Sequence, residues 1–300
     1  MHFGVIVALP PTARGDVAKA LVAALGPFDE NREVEAYREY LTGAPAGIGC
    51  IAALRRSGLL PAGDDLTWQE VADAHNRHFG TEPGSEDALH VDGEGRAYFM
   101  STCNPDAKWD GWVVGGRWPD HFVHRPDAAG DPRLIDDHQE GAGGALRCDG
   151  GPRALLDFEA MRDLEEREAA ARHDRWTELV GGLPAAQPWR HFQARHLADP
   201  DGYPMEQARD DHRTQARCRA AHGSEEFRYW DGGFSTDRAE YVARARAEAV
   251  PNYALLRLDG TWTEPGSDTE EDRAAYAREA NAYLDALDGD VLLVTVDCHC

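Results

Sequence analysis

The chain has 300 residues, 42% of them hydrophobic, which is enough to bury a real core. It carries 54 Asp and Glu against 31 Lys and Arg, a formal charge of -23. Such a field repels DNA, RNA and anionic membranes, and the sequence has no local basic patch to offset it, so neither nucleic acid nor membrane is an expected partner.

Residues 3–9 are a short apolar, β-branched run and predict a buried strand. The apolar part is too short for a signal peptide or a membrane span, and Pro10-Pro11 ends it. No later stretch reaches the ~20 apolar residues that a span needs. Pro10-Pro11-Thr12 opens a predicted helix to about residue 25, stopped by Gly26-Pro27. Residues 34–41 predict a second, short helix. Residues 66–79 predict a third, with Trp68, Val71, Ala72 and His75 on one face. Two strands follow, 96–103 and 111–118, with the turn chemistry of Asn104-Pro105-Asp106 between them. Residues 125–153, rich in Gly, Pro and Asp, read as a long surface loop. Helices are predicted over 155–180, 205–221 and 236–249, then a strand over 253–258. An amphipathic helix over 270–287 and an apolar strand over 290–296 close the chain.

This order, β-α at the start, paired strands in the middle and β-α-β at the end, predicts an α+β protein. The expected architecture is a single domain, 1–300, with a mostly antiparallel, ferredoxin-like sheet. Helices would lie on one face, and 152–250 would form a helical insertion. In that topology the first and last strands are antiparallel neighbours, which brings His2 beside Asp297 and His299. The six cysteines, Cys50, Cys103, Cys148, Cys218, Cys298 and Cys300, form no CxxC pair. They read as free thiols in a reducing compartment, hence a cytoplasmic location.

The most distinctive segment runs from Asn104 to Trp118. It holds Trp109, Trp112 and Trp118, and also Lys108, Asp110, Arg117 and the Gly115-Gly116 pair. Lys19 and Lys108 are the only lysines of the chain. Lys is a compact point charge whose shape Arg does not copy, so its retention at 108 draws attention. Lys108 and Arg117 beside tryptophans are suited to holding an anion against a flat wall. The expected site has Lys108 and Asp110 as catalytic groups, and Asn104, Trp109, Arg117 and Trp118 as ligand-binding ones. The competing reading is a β-hairpin whose tryptophans are core.

These residues also carry a resemblance. The chain resembles a family of uncharacterised proteins of actinobacteria and phages, marked by Asn-Pro-x-x-Lys-Trp-Asp followed by Gly-Gly-Arg-Trp. Further matching segments are His2-Phe3, Pro27-Phe28-Asp29-Glu30-Asn31, 157–162, Asp259-Gly260-Thr261-Trp262 and Val296-Asp297-Cys298-His299. Two departures stand out. Gly111 and Trp112 replace a pair of aromatics, and Glu264-Pro265-Gly266-Ser267 passes straight to the next helix. The resemblance implies no activity.

A second candidate joins His2, Asp297 and His299. Asp297 and His299 share a strand face, and two imidazoles with a carboxylate can hold a divalent metal. The acidic turn Asp29-Glu30-Asn31 reads as the N-cap of the helix over 34–41, with acid–base chemistry as the minority role. His121 and His124 follow Trp118 closely enough to line its pocket. HExxH, GxSxG, P-loop and GxGxxG patterns are absent. Two functions remain in view. One is a small-anion binding or catalytic site at the Lys-Trp-Asp/Gly-Gly-Arg-Trp segment. The other is a non-enzymatic acidic protein that binds a basic protein partner, as in phage–host conflict or nucleic-acid mimicry.

Overall fold

A computed structural model describes residues 1–82, 84–135, 146–228 and 237–300. Part of the predicted loop over 125–153 and the predicted helix start at Thr236 lie outside the described residues. In chain order the elements are β1 (His2–Leu9), α1 (Val17–Leu25), β2 (Tyr37–Tyr40), α2 (Ile51–Arg56), α3 (Trp68–Phe79), β3 (His90–Val91), β4 (Ala97–Ser101), β5 (Gly111–Val114), β6 (Phe122–Val123), β7 (Arg147–Cys148) and β8 (Gly150–Pro152). There follow α4 (Phe158–Val180), α5 (Trp189–Ala198), α6 (Met205–Arg213), α7 (Ala216–Gly223), α8 (Arg238–Glu248), β9 (Ala254–Leu256), β10 (Trp262–Thr263), α9 (Glu270–Asp285) and β11 (Leu292–His299). The class is α+β. No helix among the described residues is long and apolar enough to cross a membrane.

The chain divides into two compact units. The first is Met1–Ala24 with Trp112–His299; the second is Leu25–Gly111, with Cys300 grouped alongside.

The first unit is built on a sheet with strand order β10-β9-β1-β11-β5, with β8 also pairing β11. β1 and β11 pair antiparallel over their full lengths, from His2↔His299 to Leu9↔Leu292. Both are buried on both faces over most of their length, which is why both read as unbroken apolar runs. β1 pairs β9 in parallel. The sheet is therefore mixed, and the described sheets together are mostly antiparallel, as expected. Ile6, Ala8, Leu255 and Leu293 share one core cluster with Phe158 and Met161 of α4 and Tyr276, Ala280 and Leu284 of α9. Between β8 and β9 the described residues include helices α4 to α8. Asp157 caps α4 by accepting from Ala160 N at 3.0 Å. Arg246 of α8 binds Glu159, Asp163 and Glu166 of α4.

In the second unit a three-stranded sheet, β2-β4-β3, is backed by α2 and α3. Leu54, Val71, Ala74, Leu89 and Ala97 form its core. α3 begins at a capping box in which Thr67 and Glu70 satisfy each other's backbone N–H, and ends at Gly80 with φ +66°. Residues 34–41 are extended, not helical. Tyr37–Tyr40 pair β4, and Val34 N and Leu41 N donate to Thr102 O and Ala97 O. The spacing of Val34, Tyr37 and Leu41 fits a helix, but β4 offers an unsatisfied edge, and the ladder outweighs local periodicity. The predicted 96–103/111–118 hairpin is also corrected. β4 lies in this sheet and β5 in the other, so the two do not pair.

Candidate functional site

The six residues of the expected anion site divide between the units. Asn104, Lys108, Trp109 and Asp110 belong to the second; Arg117 and Trp118 belong to the first. In the second unit the Asn-Pro-x-x-Lys-Trp run fastens the turn after α1. Asn104 is buried, and its side-chain amide donates to Pro27 O at 2.7 Å and Asp29 O at 3.0 Å. Its other end accepts from Asp106 N at 3.1 Å, the local bond that makes Asn a turn former. Lys108 N donates to Phe28 O, and Glu30 N donates to Trp109 O, both at 2.8 Å. Trp109 is buried, and its indole N–H donates to Leu25 O at 3.2 Å. Asn104 and Trp109 thus spend their donors on backbone carbonyls. Lys108 is half-buried and Asp110 exposed. The acidic turn is not a helix cap, because no helix follows it. Asp29 Oδ1 instead accepts from Asn31 N at 2.9 Å, closing a local turn.

In the first unit the Gly-Gly-Arg-Trp run leaves β5 as a tight loop. Gly115 and Gly116 have φ of +64° and +56°, a conformation that other residues adopt only with strain. A Cβ on Gly115 would lie 2.2 Å from Asp149 Oδ2, and one on Gly116 would lie 2.4 Å from Asp297 Cβ. The absent side chains let the loop close over two buried carboxylates. Asp297 Oδ2 accepts from Arg117 N at 2.9 Å, and Asp149 Oδ1 accepts from Asp120 N at 2.6 Å. Asp149 and Asp297 are 3% and 5% exposed, so these charge-assisted bonds sit where water competes least.

The loop so anchored borders a cavity of about 270 Å³, lined by Trp118, Asp120, His121, Arg147 and Glu165, with Met161, Leu164 and Ala249 as apolar wall. Trp118 is 46% exposed. Arg147 donates to Asp120 O at 3.2 Å, which places its guanidinium at the loop backbone. Asp120 has φ +64°, and is the only non-glycine with positive φ among the described residues. Such strain, about 1–3 kcal/mol, gathers at functional sites. His121 Nε2–H donates to Val250 O at 3.0 Å. Part of His121 still reaches solvent, yet its surroundings are dense enough that burial lowers its pKa; the Val250 carbonyl opposes this and nearby Arg147 adds to it. Burial raises the Glu165 pKa, against the pull of Arg172 at 3.8 Å. A carboxyl with raised proton affinity beside a cation is suited to giving or taking a proton. His124 does not line the cavity; it is buried, with its Nδ1 at 3.0 Å from Arg125 O.

Glu165 also makes a stability prediction. With its folded pKa raised above 4.5, the folded state retains a proton that the unfolded chain releases. Folding therefore loses stability as pH rises from about 4.3 through the folded value. Glu165→Gln removes this loss. In urea titrations at a series of pH values, the variant's advantage over the wild type should grow across that window and then level off. A constant difference would show that Glu165 ionises as it does in water.

The second candidate assembles at the paired strand ends. His2 faces His299 across the ladder, their rings 4.9 Å apart, and His2 Nδ1 lies 3.1 and 3.2 Å from the two Asp297 oxygens. Among the described residues no group of three His, Cys, Asp or Glu side chains converges as a metal site, this trio included. The imidazole nitrogen nearest the carboxylate, Nδ1, is engaged by it. Sequence reading found Trp118 and His121 but missed Arg147, Glu165, Asp149 and Asp120. Arg147 and Asp149 fall in a stretch read as loop, and Glu165 looks like any acid on a charged helix. Paired glycines beside an Arg were the one signal that something approached the backbone closely. No protein family, curated protein or solved structure matches the chain.

Proposed function

We propose that the protein binds a small anionic molecule in the cavity beside the Gly-Gly-Arg-Trp loop, with Glu165 as a proton donor or acceptor. Arg147 supplies the positive charge, the part first expected of Lys108 and Arg117. Trp118 supplies a flat wall. The observation that carries the reading is convergence. An exposed Trp, an Arg, a carboxyl with raised pKa and a strained Asp meet around one concave space of ligand size. The alternative, an acidic surface for a basic partner, rests on net charge. It has less focus, because the α4 carboxylates Glu159, Asp163, Glu166 and Asp174 are paired with arginines of α8.

A thermal-shift screen of nucleotides, sugar phosphates and small dicarboxylates tests the proposal. A ligand at about 100 times its Kd should stabilise the native state by ~2.7 kcal/mol, a shift of several degrees. Trp118→Ala should lower the unliganded Tm by only about 2–4 °C, since the residue is 46% exposed. It should weaken the ligand shift, and Arg147→Met should remove it. A shift that survives both substitutions would place the ligand elsewhere.

A further inference from the structure

The His2–Asp297 pair lies outside the cavity's lining, and the proposed function does not use it. We infer that it is a second, proton-transfer site, in which His2 Nε2 takes a proton from a hydroxyl or water of a bound polar ligand. Three observations carry this. First, Nδ1 of His2 sits at hydrogen-bond distance from both Asp297 oxygens, 3.1 and 3.2 Å. A carboxylate only accepts, so Nδ1 carries the hydrogen and Nε2 the lone pair. Second, the carboxylate is fixed. It is 5% exposed, it accepts a second bond from Arg117 N, and its strand partner is Gly4. A Cβ at Gly4 would lie 2.2 Å from the Asn252 side chain, and one at Gly116 would meet Asp297 itself. Two positions around the pair thus exclude side chains. Third, the base is reachable. The His2 side chain is 33% exposed while its Asp297 partner is 4% exposed. That is the arrangement of an imidazole oriented from behind by a buried carboxylate.

The step balances without any other reagent. The ligand O–H bond breaks, its proton joins Nε2, and the imidazolium so formed lies against the Asp297 charge. His299 packs edge-on to His2, with ring centroids 4.9 Å apart. A merely structural pin would also hold the strand ends together, so the test reads the imidazole and not the fold.

Histidine-selective 15N NMR above pH 8 should show His2 as the Nδ1–H tautomer. Asp297→Asn, which offers an amide N–H where the carboxylate accepted, should convert it to Nε2–H or a mixture. Diethyl pyrocarbonate, with peptide mass spectrometry, then reads nucleophilicity. Wild-type His2 should be modified faster than His299, and Asp297→Asn should slow it severalfold, because the imidazole loses the acceptor that holds Nδ1–H and leaves Nε2 basic. If Asp297→Asn does not fold, the wild-type tautomer and the His2 to His299 rate ratio decide. An Nε2–H tautomer, or His2 slower than His299, overturns the inference. None of these readouts involves the cavity, so the two proposals fail separately.

Discussion

Trp109→Ala is expected to lower the free energy of unfolding by about 3–5 kcal/mol, the usual cost of emptying a buried aromatic site. The side chain is 7% exposed, and its N–H satisfies Leu25 O at the end of α1. Trp109→Phe keeps most of the packing and loses that bond, for about 1 kcal/mol. Urea denaturation of the two variants beside Trp118→Ala makes the comparison. Trp118→Ala is expected to cost less, about 1–2 kcal/mol, because the residue is already 46% exposed. The two tryptophans of one motif would then separate into a structural and a ligand-facing residue. Similar losses at both positions would mean that Trp118 is core as well.

Gly116→Ala is expected to cost about 2–5 kcal/mol, the sum of two penalties. A left-handed backbone costs a residue with a Cβ roughly 1–2 kcal/mol. The new methyl would also lie 2.4 Å from Asp297 Cβ and 2.8 Å from Val113 Cγ1, and relieving such overlap costs about 1–3 kcal/mol more. Gly260→Ala is the control. Its φ is +84°, and its Cβ would meet open space, so only the first penalty applies. The difference between the two variants in urea midpoint measures how tightly the loop closes on Asp297. Equal losses would show that the carboxylate moves aside cheaply, and with it the anchoring of the loop.

A correct local reading and a wrong contact stand side by side in the 96–118 region. Ala97–Ser101 and Gly111–Val114 are extended, inside the segments predicted, whereas 115–118, predicted as strand, turns away as a tight loop. Their partners are not each other, because each strand's hydrogen bonds are completed by another element: β4 by β2 and β3, and β5 by β11. Asn104 illustrates the same limit. Its turn chemistry is local and legible, whereas its bonds to Pro27 O and Asp29 O span more than seventy residues.

By itself the sequence determined the class, α+β, and the elements whose signals are short-range. These are the apolar strands β1 and β11, the helix α3 and the charged helix α4. It also determined the pairing of the first and last strands, since two apolar β-branched runs buried on both faces must find partners. Only the tertiary structure decided the rest. It made 34–41 a strand, because an open edge at β4 outweighed helical spacing. It made the β1–β9 pairing parallel. It brought Arg147 and Glu165 to Trp118, and Asp149 and Asp297 under Gly115 and Gly116. Those contacts join residues that carry no local mark of one another, and burial, which gives a carboxyl or an imidazole its altered proton affinity, exists only once the chain has folded.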